Sequence, residues 1–244
     1  MAVSRDPVAL YPDIAAEGSL ARALQAAADK EGLGVSFQAS ESDPLLHASV
    51  TSKVPHRTIL GIGAWAVERR WSIRGCESFQ DLALVQGNTQ DLAQVARAAQ
   101  AWHDGAELDE IHRAAPFVRL TGRFEVPDQD PAGLTESEWQ HLRTEAGEMD
   151  WPEYRSLIEA AYAEPTLRGL YPFTSHWTLR FSTSTRPHLT VVPLCLDAHR
   201  EKPYTLSTHY IGEVVAEAMT AEEAVSTALR HLPSGLGPVT LGTR

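Results

Sequence analysis

The segment LYPFTSHWTLRFST, residues 170–183, decides how this chain is read. Taken as one strand, its two-residue period places Phe173, Ser175, Trp177, Leu179 and Phe181 on one face. His176, Thr178, Arg180 and Ser182 fall on the other. The first set predicts a core face, with Trp177, Leu179 and Phe181 buried together. The second is a polar row in which Arg180 lies ~13 Å from His176, at about 3.3 Å per residue. An open antiparallel sheet commonly has one wet face, so a solvated row is the plainest reading. The functional reading makes the row a binding face, with Arg180 holding an anion and His176 moving a proton.

The strand-like TLSTHYIGE supplies neighbours for that row. Alternation puts Thr205, Ser207 and His209 on one face and Tyr204, Leu206, Thr208 and Tyr210 on the other. If His209 faces the same side as His176, two imidazoles and an arginine line one cleft, although strand register is not set by sequence alone. The candidate acid–base residues are therefore His176 and His209. The candidate ligand contacts are Arg180, Tyr171, Thr178 and Ser207. Neither a metal nor a cofactor enters this reading.

Around the segment, helices announce themselves by caps and periodicity. Leu20, Ala23, Leu24 and Ala27 share a face between Ser19, a candidate N-cap, and Gly32, a candidate stop. Leu92, Val95, Ala96, Ala99 and Trp102 do the same between Thr89 and Gly105. Capping-box spacings link Thr135 to Glu138, Asp150 to Glu153 and Thr220 to Glu223. Between the helices, VSFQAS, HASVTS, RTILGIGA, RRWSIRG and DLALVQG read as strands in the first half. FTSHWTLRFST, HLTVVPLCL and YTLSTHYIGEVV read as strands in the second. The fold class expected is α+β, with mainly antiparallel sheet and flanking helices.

Residues 121–137 are rich in Pro, Gly and Asp and read as a linker or long loop. They separate an N-terminal α+β module at 1–120 from a C-terminal one at 138–244, the alternative being one continuous domain. Trp71-Ser72-Ile73-Arg74 resembles Trp177-Thr178-Leu179-Arg180, which leaves two related helix–meander–helix halves open as a reading.

The 244 residues carry 43% hydrophobic and 22% charged side chains, as an ordinary folded protein does. A net charge of −11 argues against nucleic acid as the main partner. No apolar run suits a membrane span, and the first twenty residues lack the apolar core of a signal peptide. Cys76 and Cys195 form no paired framework, which favours a reducing cytoplasm.

Other motifs have bland readings that outweigh the sharp ones. Gly61-x-Gly63-x-x-Ala66 loosely matches a dinucleotide fingerprint, but AVERRWSIRG after it alternates like a strand. The glycines are better read as a bulge or bend. His103, Asp104, Asp109, Glu110 and His112 cluster, and a solvated acidic helix end explains them more simply than a metal site does. Cys76 follows a glycine at a turn and is expected near the surface, with Glu77 working against a reactive thiolate.

AAYAEPTLRGLYPFTSHWTLRFS together with TAEEAVSTALRHLPSGLGP resembles an uncharacterised actinobacterial domain-of-unknown-function family whose members are often labelled natural-product biosynthesis proteins. The resemblance extends to LVQGNTQDLAQVARAAQAWHDGAELDEIHRAAPFV and so covers most of the chain after about Ala64. It implies a role near specialised-metabolite gene clusters and supplies no catalytic residues. Two functions follow as expectations. One is an accessory protein that binds a small molecule, a peptide intermediate or a partner enzyme. The other is a cofactor-independent enzyme, a cyclase or isomerase, using histidine acid–base chemistry.

Overall fold

The computed structural model describes residues 6–243, and the chain divides into two units between Thr121 and Gly122. Residues 1–5, part of the stretch read for a leader, lie outside the described residues.

The first unit opens with helices α1 (Pro7–Leu10), α2 (Pro12–Glu17) and α3 (Leu20–Lys30). A meander follows: β1 (Gln38–Ala39), β2 (His47–Val50), β3 (Arg57–Ala64), β4 (Trp71–Glu77) and β5 (Ala83–Thr89). Helices α4 (Leu92–Asp104) and α5 (Leu108–Ala114) then lead to β6 (Val118–Leu120). The strands lie in chain order, every neighbour antiparallel. Alternation turns Leu60, Ile62, Ala64, Trp71, Ile73 and Val85 to one face, where Leu24 and Ala28 of α3 and Val95, Ala99 and Trp102 of α4 close the core. Gly75 sits on that face because a Cβ there would stand 2.7 Å from the Trp102 ring. Ser19 caps α3 by accepting from the Arg22 N–H, and Gly105 ends α4 at φ 76°. Asp91, not Thr89, caps α4, because its carboxylate reaches the N–H groups of both Ala93 and Gln94.

The second unit begins with helices α6 (Pro131–Glu148), α7 (Pro152–Ala163) and α8 (Pro165–Arg168). Strands β7 (Tyr171–Ser175), β8 (Thr178–Ser182), β9 (Ser184–Pro187), β10 (Val191–Asp197), β11 (Tyr204–Ser207) and β12 (Val214–Ala218) follow, then α9 (Ala221–His231) and β13 (Thr240–Gly242). Five strands form an antiparallel sheet in the order β12-β11-β10-β8-β7, while β9 pairs parallel with β13. One face of the five-stranded sheet presents Leu179, Phe181, Leu194, Leu196 and Leu206 to a core built with Trp139, Leu142, Tyr154, Leu157, Ile158, Ala224 and Ala228. The fold is thus α+β and mainly antiparallel.

Local chemistry explains where sequence patterns misplace boundaries. Residues 131–137, expected as linker, are the first turns of α6: Asp130 caps it through the Gly133 N–H, and Pro131 suits the first position. Thr135 therefore lies inside the helix, its hydroxyl donating to the Pro131 carbonyl. Trp151, without a side-chain cap bond, occupies the N-cap of α7 instead of Asp150. Thr220 does cap α9. The segment YTLSTHYIGEVV is not one strand but β11, a turn and β12. Gly61 and Gly63 mark no bulge. They pair regularly with Arg74 and Ser72, and the irregularity of β3 lies between Arg57 and Leu60. Strand β4 follows β3, so the dinucleotide motif lacks its helix.

The largest departure falls in the opening segment. It is a hairpin, and Trp177 stands in its turn at 42% exposure, where Trp71 is 1% exposed inside β4. The four-residue match between the halves thus joins two different environments.

Candidate functional site

The hairpin turn sets the geometry of the second unit's polar face. Ser175 pairs with Thr178, so His176 and Trp177 alone make the turn, at φ 51° and 70°. Two-residue hairpins of this kind need positive φ at both positions and usually carry Asn-Gly. A histidine and a tryptophan there hold backbone strain, of the kind that collects at functional sites. Paired residues share a face, and this pair is three apart in sequence. Alternation therefore changes parity across the turn. Phe173 opposes Arg180 and Thr174 opposes Leu179, and Trp177 is left in the turn, half-exposed at the margin of the core. There its ring packs edge-on against the core residue Tyr154, centroids 5.8 Å apart.

Phe173, Arg180, Cys195 and Ser207 form one row across β7, β8, β10 and β11. The Arg180 guanidinium carbon lies 5.1 Å from the Phe173 ring centroid and 5.8 Å from that of Tyr210. Tyr210 reaches this position because the β11–β12 connection folds back over the sheet. Its hydroxyl and His176 Nδ1 hydrogen-bond at 2.7 Å, with the rings stacked at an 18° interplanar angle. Arg180 has no carboxylate in ion-pair contact among the described residues, and its Nε is buried without a hydrogen-bond acceptor. Burial pushes the Cys195 thiol pKa up, and the neighbouring Arg180 charge acts against that rise.

The expected site residues meet different fates. His176 and Arg180 come together through Tyr210. Ser207 lies in the same row, its hydroxyl donating to the His209 carbonyl at 2.9 Å. Thr178 is buried and donates to Asp197, across the sheet. Tyr171 is buried on the same face, opposite Ser182. His209 is exposed beyond the end of β11, its Nδ1 2.9 Å from Thr208 Oγ1. Tyr210 stands against His176 where a second imidazole was expected. Sequence reasoning missed Tyr210 as a neighbour because alternation was carried past the true end of the strand. It misplaced Phe173 because His-Trp gives no turn signal.

The remaining candidates are engaged elsewhere. His103 Nδ1 meets the Thr51 carbonyl at 2.7 Å, His112 Nδ1 meets the Val118 carbonyl at 2.6 Å, and Asp104 pairs with Lys53 at 2.7 Å. Cys76 is buried rather than exposed, and burial raises its thiol pKa despite the Arg74 Nε–H donated to its sulfur.

Residues 133–243 match the model of a family described as a family of unknown function (DUF6193), so the likeness falls within the second unit and includes His176, Arg180 and Tyr210. No curated protein and no solved structure matches the chain.

Proposed function

We propose that this protein is an accessory binding protein that holds a small molecule bearing a carboxylate or phosphate beside an aromatic group. The carrying observation is Arg180, a guanidinium set between the rings of Phe173 and Tyr210 with a buried Nε–H and no carboxylate partner among the described residues. A guanidinium fork pairs with planar oxyanions through parallel N–H bonds, and flanking rings supply apolar walls. Specialised-metabolite biosynthesis in the cytoplasm is the setting. It rests on the resemblance of the sequence, and the ligand would be an intermediate, either a small molecule or a peptide, or else a side chain of a partner enzyme. No helix among the described residues is long and apolar enough to cross a membrane.

A second reading, a cofactor-independent enzyme, draws on the 2.7 Å contact between His176 and Tyr210, which would let a phenol and an imidazole exchange a proton. Calorimetry with benzoate, phenyl phosphate and uncharged benzamide tests the binding reading. Both anions should bind and benzamide should not, and Arg180→Ala should abolish the binding. Equal affinity for benzamide, or for the variant, would remove Arg180 from the account.

A further inference from the structure

The first unit holds a trough that the site above does not use. On the face of its sheet away from the helices, register aligns two rows: His47, Gly63, Ser72 and Asn88, and Ser49, Gly61, Arg74, Gln86 and Arg119. Each row crosses β3 at a glycine. The result is a channel along that strand, part of a cleft of about 650 Å³. His47, Arg74, Gln86, Asn88 and Arg119 are exposed along it.

The two glycines are the informative residues. Glycine inside a strand weakens it and marks either a bend or a close approach of something to the backbone. Elsewhere in this sheet the reason is visible: a Cβ at Gly87 would stand 2.5 Å from the Phe117 carbonyl oxygen. At Gly61 a Cβ would meet only the Arg74 carbonyl oxygen, at 3.7 Å, an ordinary contact. At Gly63 the nearest atom would be Ser72 Oγ at 3.3 Å. Neither glycine has positive φ. Packing and backbone conformation leave Gly61 unexplained, and an open floor beneath a ligand explains it.

The lining states the ligand's chemistry. Among the described residues it includes two arginines and a histidine and no Asp or Glu, in a chain whose net charge is −11. Arg74 is held in place, its Nε–H donating to Cys76 Sγ at 3.2 Å and its Nη2 to the Asp81 carbonyl at 3.4 Å. Such anchoring reduces the ordering lost on binding. No Phe, Tyr or Trp among the described residues lines the trough, while Ser40, Ser49, Ser72, Gln86 and Asn88 offer hydrogen-bonding groups. We propose that this trough is a second binding site, specific for a small hydroxylated anion: a sugar-like molecule carrying a phosphate or carboxylate.

Titration of the full chain with glucose 6-phosphate, gluconate and uncharged glucose, followed by calorimetry and amide NMR, tests it. At least one anion should bind at least ~10-fold more tightly than glucose, as charge-assisted pairing requires. The amides of Gly61 and Gly63 should shift. The two anions separate phosphate from carboxylate recognition. Gly61→Val fills the channel with a residue suited to a strand, so its melting temperature should not fall while binding weakens at least ~10-fold. Arg74→Gln should weaken binding comparably, which keeps the test sound if the valine disturbs folding. Arg180→Ala should leave this binding unchanged, so failure here is distinct from failure of the second unit's site. Binding by neither anion, or full binding by folded Gly61→Val, overturns the proposal.

Discussion

Replacing Trp177 and Phe181 separately by alanine tests the change of parity that organises the second unit. Phe181 is fully buried in the core. Its truncation leaves a cavity among Trp139 and its neighbours and should cost ~3–5 kcal/mol. Trp177 is 42% exposed, so a little over half of its surface is covered. With ~250 Å² for a whole tryptophan side chain, that is about 145 Å², or ~3.6 kcal/mol at about 25 cal/mol per Å². An alanine keeps part of this burial, and a compact unfolded chain already covers about 10–40% of it, which brings the cost near 2 kcal/mol. No cavity term is added, because a side chain 42% exposed leaves a site open to solvent when it is truncated. Equilibrium urea denaturation followed by far-UV circular dichroism reads both variants on the same probe. Phe181→Ala should lower the midpoint clearly more than Trp177→Ala. An equal or larger loss for Trp177→Ala would mean that the segment is one continuous face with Trp177 in the core.

Other outcomes follow from the same structure. Trp177→Gly should be more stable than Trp177→Ala by about 1 kcal/mol, because only glycine takes positive φ without strain; reversed denaturation midpoints would contradict that. Glu138→Ala should destabilise by more than about 1 kcal/mol in urea denaturation, since it removes the buried carboxylate that meets Arg123 at 2.7 Å; a smaller loss would mark the pair as unimportant. Burial pushes the Glu136 carboxyl up, but hydrogen bonds from Tyr162, Gln140 and Arg168 outweigh it, so its pKa lies below the usual carboxylate value. Its stabilisation is therefore present above the unfolded pKa, near 4.5, and is lost as pH falls through the lower folded value. Glu136→Gln should accordingly flatten the acid limb of a pH–stability curve, and an unchanged slope would refute the assignment. Burial raises both thiols, so Cys76 and Cys195 should react with an aromatic disulfide reagent only on unfolding; rapid labelling of the native chain would contradict their placement.

Much of the scaffold is legible in the sequence because local chemistry decides it. RTILGIGA is β3 end to end, since from Leu60 to Ala64 covered and open positions alternate, and the irregularity between Arg57 and Leu60 does not end the strand. Ser19 and Thr220 cap their helices as short polar side chains before apolar periods do. Arg180 and His176 are visible as chemistry, but their setting is not. A His-Trp pair carries no turn signature, and tertiary contacts from Tyr154 and Tyr210 hold it at positive φ. Tyr210 comes from a connection whose fold-back has no period to read. The trough over Gly61 and Gly63 was hidden for a different reason. Those glycines look like a bend until pairing shows them straight, one beside Arg74 and the other beside Ser72.

The Nε–H of Arg180 offers the most direct measurement. It is buried with no hydrogen-bond acceptor among the described residues. Its proton and nitrogen resonances can be assigned in labelled protein by comparison with Arg180→Ala. On titration with benzoate, a carboxylate accepting from Nε should move that proton strongly downfield and slow its exchange with water. The shift should saturate with the calorimetric affinity. A resonance that stays in place while benzoate binds, or the absence of benzoate binding, would contradict the claim that Arg180 is the anion anchor of this protein.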